Sequence, residues 1–238
     1  RCLLWPSLWR GIVCCEDFTF CLSILRLFLG NEEVFSAELA GYQHRSLPVR
    51  TFITSLLALF LCDIFAAPGV ITTVAGSGER GFSGDGGLAT EAKFDFPNGV
   101  VFDRSGHLFI ADVNNHRVRR VDAVTGIITT VAGNGEENYL GFNGDDILAT
   151  EARLCYPVGV VTDSLGNLFF ADYGNFRVRR VDALTGIITT IAGNGEVGFS
   201  GDGGLATEAA VGFPAGVVFS PSGHLYFGDN FNHKVRKV

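Results

Sequence analysis

The sequence of 238 residues contains no methionine and carries little charge. With 47% hydrophobic and 18% charged residues, it is too apolar for wholesale disorder. A net charge of −7 argues against general attraction to nucleic acid or anionic lipid, although local basic patches are compatible with it. Because a natural chain of this length starts with methionine, we expect either a fragment or a sequence read from the wrong start.

Cysteine is nearly missing from the second half of the chain. Cys155 is the only one beyond residue 63, so a disulfide framework is excluded there. The others are Cys2, Cys14, Cys15, Cys21 and Cys62. The adjacent pair among them has neither zinc-site spacing nor a nearby histidine. We interpret these thiols as unpaired groups in an apolar stretch.

The N-terminal part, residues 1–67, contains no uninterrupted apolar run as long as a membrane span. Residues 1–49 show no clear period and are expected to be helical or disordered. Residues 50–67 combine a basic start, the apolar run Phe52–Leu61 and small residues before Pro68. This pattern is typical of a secretory signal peptide and is short for a membrane span. It predicts a secreted or extracytoplasmic protein, anchored in a membrane if uncleaved. A buried apolar segment is the alternative, and residues 1–48 are untranslated if translation starts at Val49.

From residue 69 onward the chain repeats itself. The string Ile71–Gly76 returns as Ile128–Gly133 and as Ile188–Gly193, at offsets of 57 and 60. The string Pro97–Val100 returns in the same way, as Pro157–Val160 and Pro214–Val217. Long matches at a nearly fixed interval indicate a repeat architecture, a solenoid or a propeller.

Each unit predicts four short strands, here exemplified by Gly99–Asp103, His107–Asp112, Arg117–Asp122 and Ile127–Ala132. These runs are rich in β-branched and aromatic residues and are separated by Gly, Asn, Asp and Ser. The short connections permit only antiparallel neighbours. Apolar side chains fall on both faces of such a sheet, so both faces need cover. Copies packed radially supply it, and the predicted fold is an all-β propeller with four-stranded blades.

An insert separates each fourth strand from the next unit, at residues 81–92, 141–152 and 198–209. Its Leu-Ala-Thr-Glu-Ala string predicts one helical turn, started by the preceding Asp or Gly. The spaced carboxylates and terminal Glu of a calcium loop are missing, so we interpret the insert as a structural turn.

The repeats resemble the NHL-repeat family. The name-giving triplet is present as Asn115-His116-Arg117 and Asn232-His233-Lys234, whereas the middle copy reads Asn175-Phe176-Arg177. Further matching strings are Phe109–Asp112, Phe169–Asp172, Arg117–Asp122 and Arg177–Asp182. The resemblance covers about residues 69–238. It implies a propeller, typically of six blades in this family, that serves mostly as a binding platform.

The propeller region, residues 68–238, holds too few strands for a ring. Its blade units are about 97–133, 157–193 and 214–238, the last without a fourth strand, and an orphan fourth strand at 71–75 opens the series. Three blades are below the minimum of about four that closes a propeller. Two alternatives follow. The chain is part of a longer protein, or two copies form a homodimer in which the orphan strands complete six blades by β-augmentation.

Residues able to carry chemistry recur with the scaffold. His107 matches His224 and His116 matches His233, whereas a catalytic group is usually singular; His44 has no identifiable partner. Basic residues lie on every third strand with aspartates near the turns, which predicts ion pairs within or between blades. The basic set is Arg117, Arg119, Arg120, Arg177, Arg179, Arg180, Lys234, Arg236 and Lys237, and the acidic set is Asp103, Asp112, Asp122, Asp163, Asp172, Asp182 and Asp229.

The innermost strands carry no mid-strand histidine or carboxylate, at 99–103, 159–163 and 216–220. We therefore expect no catalytic, cofactor or metal residues, and a non-enzymatic module that binds a protein or carbohydrate outside the cytoplasm. The alternative is a fragment of a six-bladed enzyme with a channel metal, resembling gluconolactonases or peptide-amidating lyases. RNA binding is disfavoured, since Tyr173 and Phe176 supply stacking candidates in one blade only. The expected ligand surfaces are the loop rims Glu136–Leu140 and Tyr173–Phe176.

Overall fold

The computed structural model describes residues 70–136 and 141–238. Residues 71–238 fall within one compact unit. The predictions made for residues 1–49, for the signal-like segment 50–67 and for loop residues 137–140 lie outside the described residues.

In this part of the chain, short strands alternate with 3₁₀ turns. The strands are β1 Pro97–Phe102, β2 Leu108–Asp112, β3 Arg117–Val121, β4 Ile128–Ala132, β5 Ile147–Leu148, β6 Pro157–Thr162, β7 Leu168–Asp172, β8 Arg177–Val181, β9 Ile187–Ala192, β10 Pro214–Phe219, β11 Leu225–Asp229 and β12 Lys234–Lys237. The 3₁₀ turns are Ala89–Glu91, Val113–Asn115, Ala149–Glu151, Tyr173–Asn175, Ala206–Glu208 and Asn230–Asn232.

The strands form three antiparallel sheets, each a blade. The first has the order β1-β2-β3-β4, the second β5-β9-β8-β7-β6 and the third β10-β11-β12. The predicted all-β fold with antiparallel meanders is confirmed. The prediction of four strands in each complete blade was incomplete, because the insert adds the short β5 to the outer edge of the second blade. In the first blade, Leu88 makes the corresponding single bridge to Ile127.

Aspartates fix the tight turns between strands. Asp103 accepts hydrogen bonds from the backbone N–H groups of Ser105 and His107, both at 2.9 Å, and so closes the β1–β2 turn. Between β3 and β4, Asp122 accepts from the N–H groups of Val124 and Thr125 at 3.1 and 3.0 Å. Side chains that replace backbone partners in this way are the physical basis of the Asp preference at turns.

The hydrophobic cores lie between blades. Phe109 and Val118 of the first blade share a cluster with Leu168 and Phe170 of the second. A second cluster joins the second and third blades; it includes Phe169, Val178, Val217, Leu225 and Phe227. The second sheet, which contributes to both clusters, therefore buries apolar side chains on both faces, as the sequence predicts.

The blades converge at their first strands. β1 packs against β6, and β6 packs against β10. The approach is so close that a Cβ on Gly99 would lie 2.9 Å from the Cα of Gly159, and one on Gly159 would lie 2.8 Å from the Cα of Gly216. At the outer side, β4 contacts the next blade through the turn Ala149–Glu151. Blades packed tightly at the first strand and spaced by an insert at the fourth have the arrangement of a propeller.

The predicted strand at 71–75 is not formed in the single chain. No described strand pairs with these residues, and a fourth strand needs the third strand of its own blade as a partner. The segment is nevertheless anchored at its end, because the N–H of Gly76 donates to the carbonyl of Ala89 at 2.8 Å. Gly133 makes the same bond to Ala149, also at 2.8 Å.

The helical turn predicted for each insert is confirmed as a 3₁₀ turn of three residues, for example Ala89–Glu91. The predicted start at Asp or Gly was wrong. The cap position is Leu88, which makes no side-chain hydrogen bond, and the backbone N–H of Ala92 closes the turn on Ala89. Residues 70–136 and 141–238 contain no helix with the length and hydropathy of a membrane span.

Candidate functional site

Every blade contains a buried aspartate at the end of its second strand. Asp112, Asp172 and Asp229 are fully buried. The carboxylates accept backbone N–H groups from the segment that enters the blade, from Asp95 at 2.8 Å, Cys155 at 2.8 Å and Gly212 at 2.7 Å. The asparagines of the following turns, Asn115, Asn175 and Asn232, donate to the same carboxylates. The aspartate thereby ties the entering chain to the blade.

An arginine in the middle of each third strand completes this network. The guanidinium of Arg119 is fully buried; its Nη2 lies 2.7 Å from Oδ1 of Asp85 in the insert. It also donates to the carbonyl of Lys93 at 2.9 Å and packs near the ring of Phe94. Arg179 repeats the arrangement with Asp145 at 2.9 Å, and Arg236 with Asp202 at 2.9 Å. The insert aspartates were not in the predicted acidic set. Of the predicted partners, Asp172 lies 3.3 Å from Arg179 and Asp182 lies 2.7 Å from Arg180, each pair within one blade.

Burial decides the electrostatics of this network. Burial raises the pKa of Asp172, against the opposing effects of Arg179 and the hydrogen bonds from Cys155 and Asn175. Burial raises the pKa of Asp112 in the same way. The charged form of each carboxylate therefore depends on the buried arginine beside it, Arg119 for Asp112 and Arg179 for Asp172.

The first basic residue of each third strand is also engaged by the scaffold. Arg117 donates to the carbonyl of Asn134 at 2.7 Å and lies 3.8 Å from the ring centre of Phe82. Arg177 lies at the same distance from Phe142, and Lys234 is 4.5 Å from Phe199. The phenylalanine of each insert thus covers a cation of the third strand by a cation–π contact.

The recurring histidines occupy equivalent backbone positions. Nδ1 of His107 accepts a hydrogen bond from the N–H of Ala123 at 3.1 Å, and its counterpart His224 is exposed. His116, Phe176 and His233 all have left-handed backbone, with φ of 53°, 55° and 53°. In His116, Nδ1 accepts from the N–H of Tyr156 in the next blade at 3.2 Å. The structure therefore places these histidines at turns and blade contacts.

The first strands face each other through glycines where a metal-binding propeller needs ligands. In residues 70–136 and 141–238 there is no group of three or more His, Cys, Asp or Glu side chains arranged to hold a metal ion. The strand centres are occupied instead by the stacked Gly99, Gly159 and Gly216.

The rim segment Tyr173–Phe176 contributes to an aromatic cluster. Phe176 is buried and meets Phe213 edge to face, with ring centres 5.0 Å apart. Tyr173 is half-buried, 4.9 Å from Phe213, and Phe231 follows at 6.1 Å with 60% of its surface exposed. Phe176, proposed from sequence as a stacking residue, is therefore a packing residue. Phe231, which sequence reasoning missed, is the accessible ring of this cluster.

A groove of about 380 Å³ runs along the outer edge of β12. Its walls include Val211 and Phe227 on the apolar side and Asp202 and Arg236 on the polar side. In the first and second blades the equivalent place is filled by β4 and β9.

Comparison with known proteins agrees with this architecture. Residues 94–121 match the family model described as NHL repeat. These residues span β1 to β3 of the first blade, and the fold is of the β-propeller class, as the resemblance predicts. A crystal structure of a structural genomics protein of unknown function from Bacteroides thetaiotaomicron superposes with a TM-score of 0.51 at 19% identity, covering 63% of this chain and 37% of that one. That likeness concerns the fold alone.

Several curated proteins share the repeat region. NHL repeat-containing protein 2 of Bos taurus is 31% identical over 153 residues, which cover 61% of this chain and 21% of that protein. Protein SUPPRESSOR OF QUENCHING 1, chloroplastic, of Arabidopsis thaliana is 28% identical over 175 residues, 71% of this chain and 16% of that protein. Teneurin-1 of Mus musculus is 23% identical over 329 residues, 96% of this chain and 12% of that protein. The chain thus spans about a fifth or less of the length of these relatives.

Proposed function

We propose that this chain is a non-enzymatic binding module, an NHL-repeat propeller segment that holds a protein or carbohydrate ligand outside the cytoplasm. The observation that carries the proposal is the aromatic rim patch, formed by Tyr173, Phe213 and Phe231. Phe231 is 60% exposed and is backed by the two half-buried rings. An exposed ring on a supported surface suits stacking against a sugar face or an apolar side chain.

The rim patch sits on a rigid turn. The N–H of Phe231 donates to the carbonyl of Gly212 at 3.0 Å, and the next residue, Asn232, donates to the buried Asp229 at 2.7 Å. The equivalent positions in the other blades are Asn114 and Gly174. The patch is therefore specific to the junction of the second and third blades. A scaffold that presents one variable surface is the usual design of a binding module.

The proposal that the module is non-enzymatic rests on the hydrogen-bond and ion-pair partners of its buried aspartates. The buried Asp112, Asp172 and Asp229 are occupied by backbone, asparagine and arginine partners. The competing function is a propeller enzyme with a channel metal. Mass-spectrometric metal analysis of the purified protein, together with a lactone-hydrolysis assay, separates the two: a stoichiometric tightly bound ion with turnover would favour the enzyme.

The extracytoplasmic part rests on the sequence of residues 50–67. It is tested by amino-terminal sequencing of protein recovered from the culture medium of an expressing host. A mature terminus near residue 68 is expected. Protein retained inside the cell with residues 50–67 attached would contradict secretion.

The ligand is tested by probing arrays of oligosaccharides and of aromatic or apolar peptides with the purified protein. Phe231→Ala should abolish the retained signals, because it removes the exposed ring of the rim patch. Val124→Ala is the matched control, since Val124 is 91% exposed in a distant β3–β4 turn. Signals that survive Phe231→Ala, or that Val124→Ala weakens equally, would overturn the assignment.

A further inference from the structure

The first and second blades each contain an ion pair at the point where the chain enters the blade. In the first blade, Glu79 lies in the loop before the insert and pairs with Lys93. In the second blade, Glu136 occupies the same place in the repeat and pairs with Arg153, with 2.6 Å between Oε2 and Nε. The repeat therefore supplies this glutamate with a counter-ion from its own blade.

The third blade has the glutamate without the cation. Its residues at these two positions are Glu196 and Ala210. The loop backbone is the same, because the N–H of Glu196 donates to Oδ1 of Asn194 at 2.8 Å, as that of Glu136 does to Asn134 at 2.9 Å. Glu196 is exposed, and within residues 70–136 and 141–238 no ion pair joins its carboxylate to a cation.

Arg177 approaches the same loop but is engaged by backbone carbonyls. Its guanidinium donates to the carbonyls of Asn175 and Asn194, both at 2.9 Å. Arg117 makes the two equivalent contacts one blade earlier without replacing the ion pair there. The carboxylate of the third blade is therefore left to a cation from outside the chain.

This carboxylate adjoins the rim patch. The carbonyl of Gly198, two residues after Glu196, accepts from Nδ2 of Asn232 at 2.7 Å. The carbonyl of Gly212 in the entering segment accepts from the N–H of Phe231 at 3.0 Å. The loop, the entering segment and the turn that carries the exposed ring are thus neighbours. Two departures from the repeat, the missing cation and the exposed aromatic ring, fall in the same corner of the third blade.

We propose that the rim patch and Glu196 together bind a protein segment in which a lysine or arginine lies close to an apolar or aromatic side chain. The cation takes the place that Lys93 and Arg153 occupy in the first two blades. The apolar side chain packs on the exposed ring of Phe231. This inference rests on the proposed function, because it names the chemistry of the ligand for the same patch.

Charge complementarity favours such a segment over a neutral sugar. The chain has a net charge of −7, which attracts a basic partner and speeds the encounter. A carboxylate beside apolar rings suits a side chain with an aliphatic stem and a charged head, since the stem covers the rings while the head reaches the carboxylate. Because Glu196 is exposed, the ion pair should change affinity by only about two- to fivefold and serve mainly for specificity.

The test uses acetylated and amidated peptides in which one lysine and one tryptophan are separated by Gly-Ser spacers of increasing length. Matched peptides carry glutamine in place of the lysine. Fluorescence anisotropy at low salt should show that the wild type binds the lysine peptides about two- to fivefold more tightly, and high salt should remove this preference. Phe231→Ala should weaken both sets by about tenfold or more, because it removes the exposed ring.

Two substitutions should remove the lysine preference by different routes. Glu196→Gln deletes the carboxylate, and Ala210→Lys supplies the counter-ion that the first blade has at this position. A long side chain fits there, since those of Lys93 and Arg153 are 40% and 42% exposed. Two matched controls should keep the preference: Ala210→Gln adds similar bulk without charge, and Glu91→Gln removes an exposed carboxylate from the first blade.

The outcomes separate this inference from the proposed function. Equal binding of both peptide sets by the wild type refutes the inference, as does a lysine preference that persists in Glu196→Gln or that Ala210→Gln removes as fully as Ala210→Lys. Binding of oligosaccharides alone, lost in Phe231→Ala, also refutes it but leaves the rim patch as the binding surface. Failure of every peptide and sugar to bind removes the proposed function and the inference with it.

Discussion

Arg179 and Asp145 lie 2.9 Å apart, the guanidinium fully buried in the blade and the carboxylate supplied by the insert that precedes it. The carbonyl of Gly144, also in the insert, accepts from the same guanidinium at 3.1 Å. The insert is therefore the part that supplies a counter-charge to the centre of the third strand. Since Arg119 and Arg236 pair with the equivalent insert aspartates, Asp85 and Asp202, this clamp belongs to the repeat.

Replacing the buried Arg179 should lower the free energy of unfolding far more than replacing its half-exposed neighbour Arg180. Arg179→Met leaves the fully buried Asp172 and the insert carboxylate without a cation, so we expect a loss of about 3–5 kcal/mol in the free energy of unfolding. Arg180→Met removes a half-exposed pair with Asp182 and should cost about 1 kcal/mol or less. Urea denaturation at neutral pH and fixed protein concentration measures both. Equal losses would show that the clamp is not the stronger contact.

The glycine stack at the first strands should tolerate no side chain between blades. Gly159→Ala places a Cβ 2.8 Å from the backbone of Gly216, at a φ of 43°, and should lower the free energy of unfolding by about 3 kcal/mol or more. Gly216→Ala meets no atom in the single chain and should cost only the backbone strain, about 1–2 kcal/mol. Thermal unfolding of both variants measures the two losses. An equal loss in both would contradict the close contact between Gly159 and Gly216.

The charged side chain of Asp182 in the β8–β9 turn should stabilise the fold at neutral pH and lose this effect in acid. Hydrogen bonds from the Thr185 N–H and hydroxyl, with Arg180 and the Leu184 N–H, lower the pKa of Asp182 to about 2 from its usual 3.8. Because the pKa is lower in the folded state, the charged carboxylate stabilises the fold above pH 3.8 and loses this effect as the pH falls toward 2. Asp182→Asn should therefore be less stable than wild type at pH 6, and the gap should narrow below about pH 4. A gap that is constant with pH, measured by urea denaturation, would contradict this assignment.

Replacing the buried rim residue Phe176 should cost much more unfolding free energy than replacing the exposed rim residue Phe231. Phe176 is buried against Phe213, so Phe176→Ala should cost about 3–5 kcal/mol of unfolding free energy. Phe231 is 60% exposed, and Phe231→Ala should cost about 1 kcal/mol or less while removing ligand binding. Chemical denaturation of both variants checks the split. A large loss in Phe231→Ala would make that residue a packing group.

The strands were predictable from sequence to within about one or two residues at their ends, because β-branched runs and turn residues alternate in every copy. The first strand, predicted from Gly99, begins at Pro97, and the fourth, predicted from Ile127, begins at Ile128. Local signals suffice there, since each turn is fixed by its own aspartate or glycine. The strand predicted at 71–75 is not formed, because a β-strand exists only where a neighbouring strand supplies its hydrogen-bond partners.

The burial of Arg119 could not be predicted from the local sequence either. Its strand, Arg117–Val121, has three arginines and two valines, and both Val118 and Arg119 are fully buried. The pairing register shifts between them, which breaks the simple alternation of inward and outward residues. The buried charge also depends on an insert carboxylate 34 residues away in sequence. The spacing of that insert aspartate, constant in all three copies, is the signal that points to the contact.

Hydrogen exchange in the second blade tests the packing of the blades most directly. The amides of β7, which lies between two hydrophobic clusters, should exchange slowly, whereas those of the exposed turn at Leu184 should exchange rapidly. In Gly159→Ala, which disturbs the contact between first strands, the β7 amides should exchange faster than in the wild type. Exchange as rapid in β7 of the wild type as in the turn would contradict blades packed face to face.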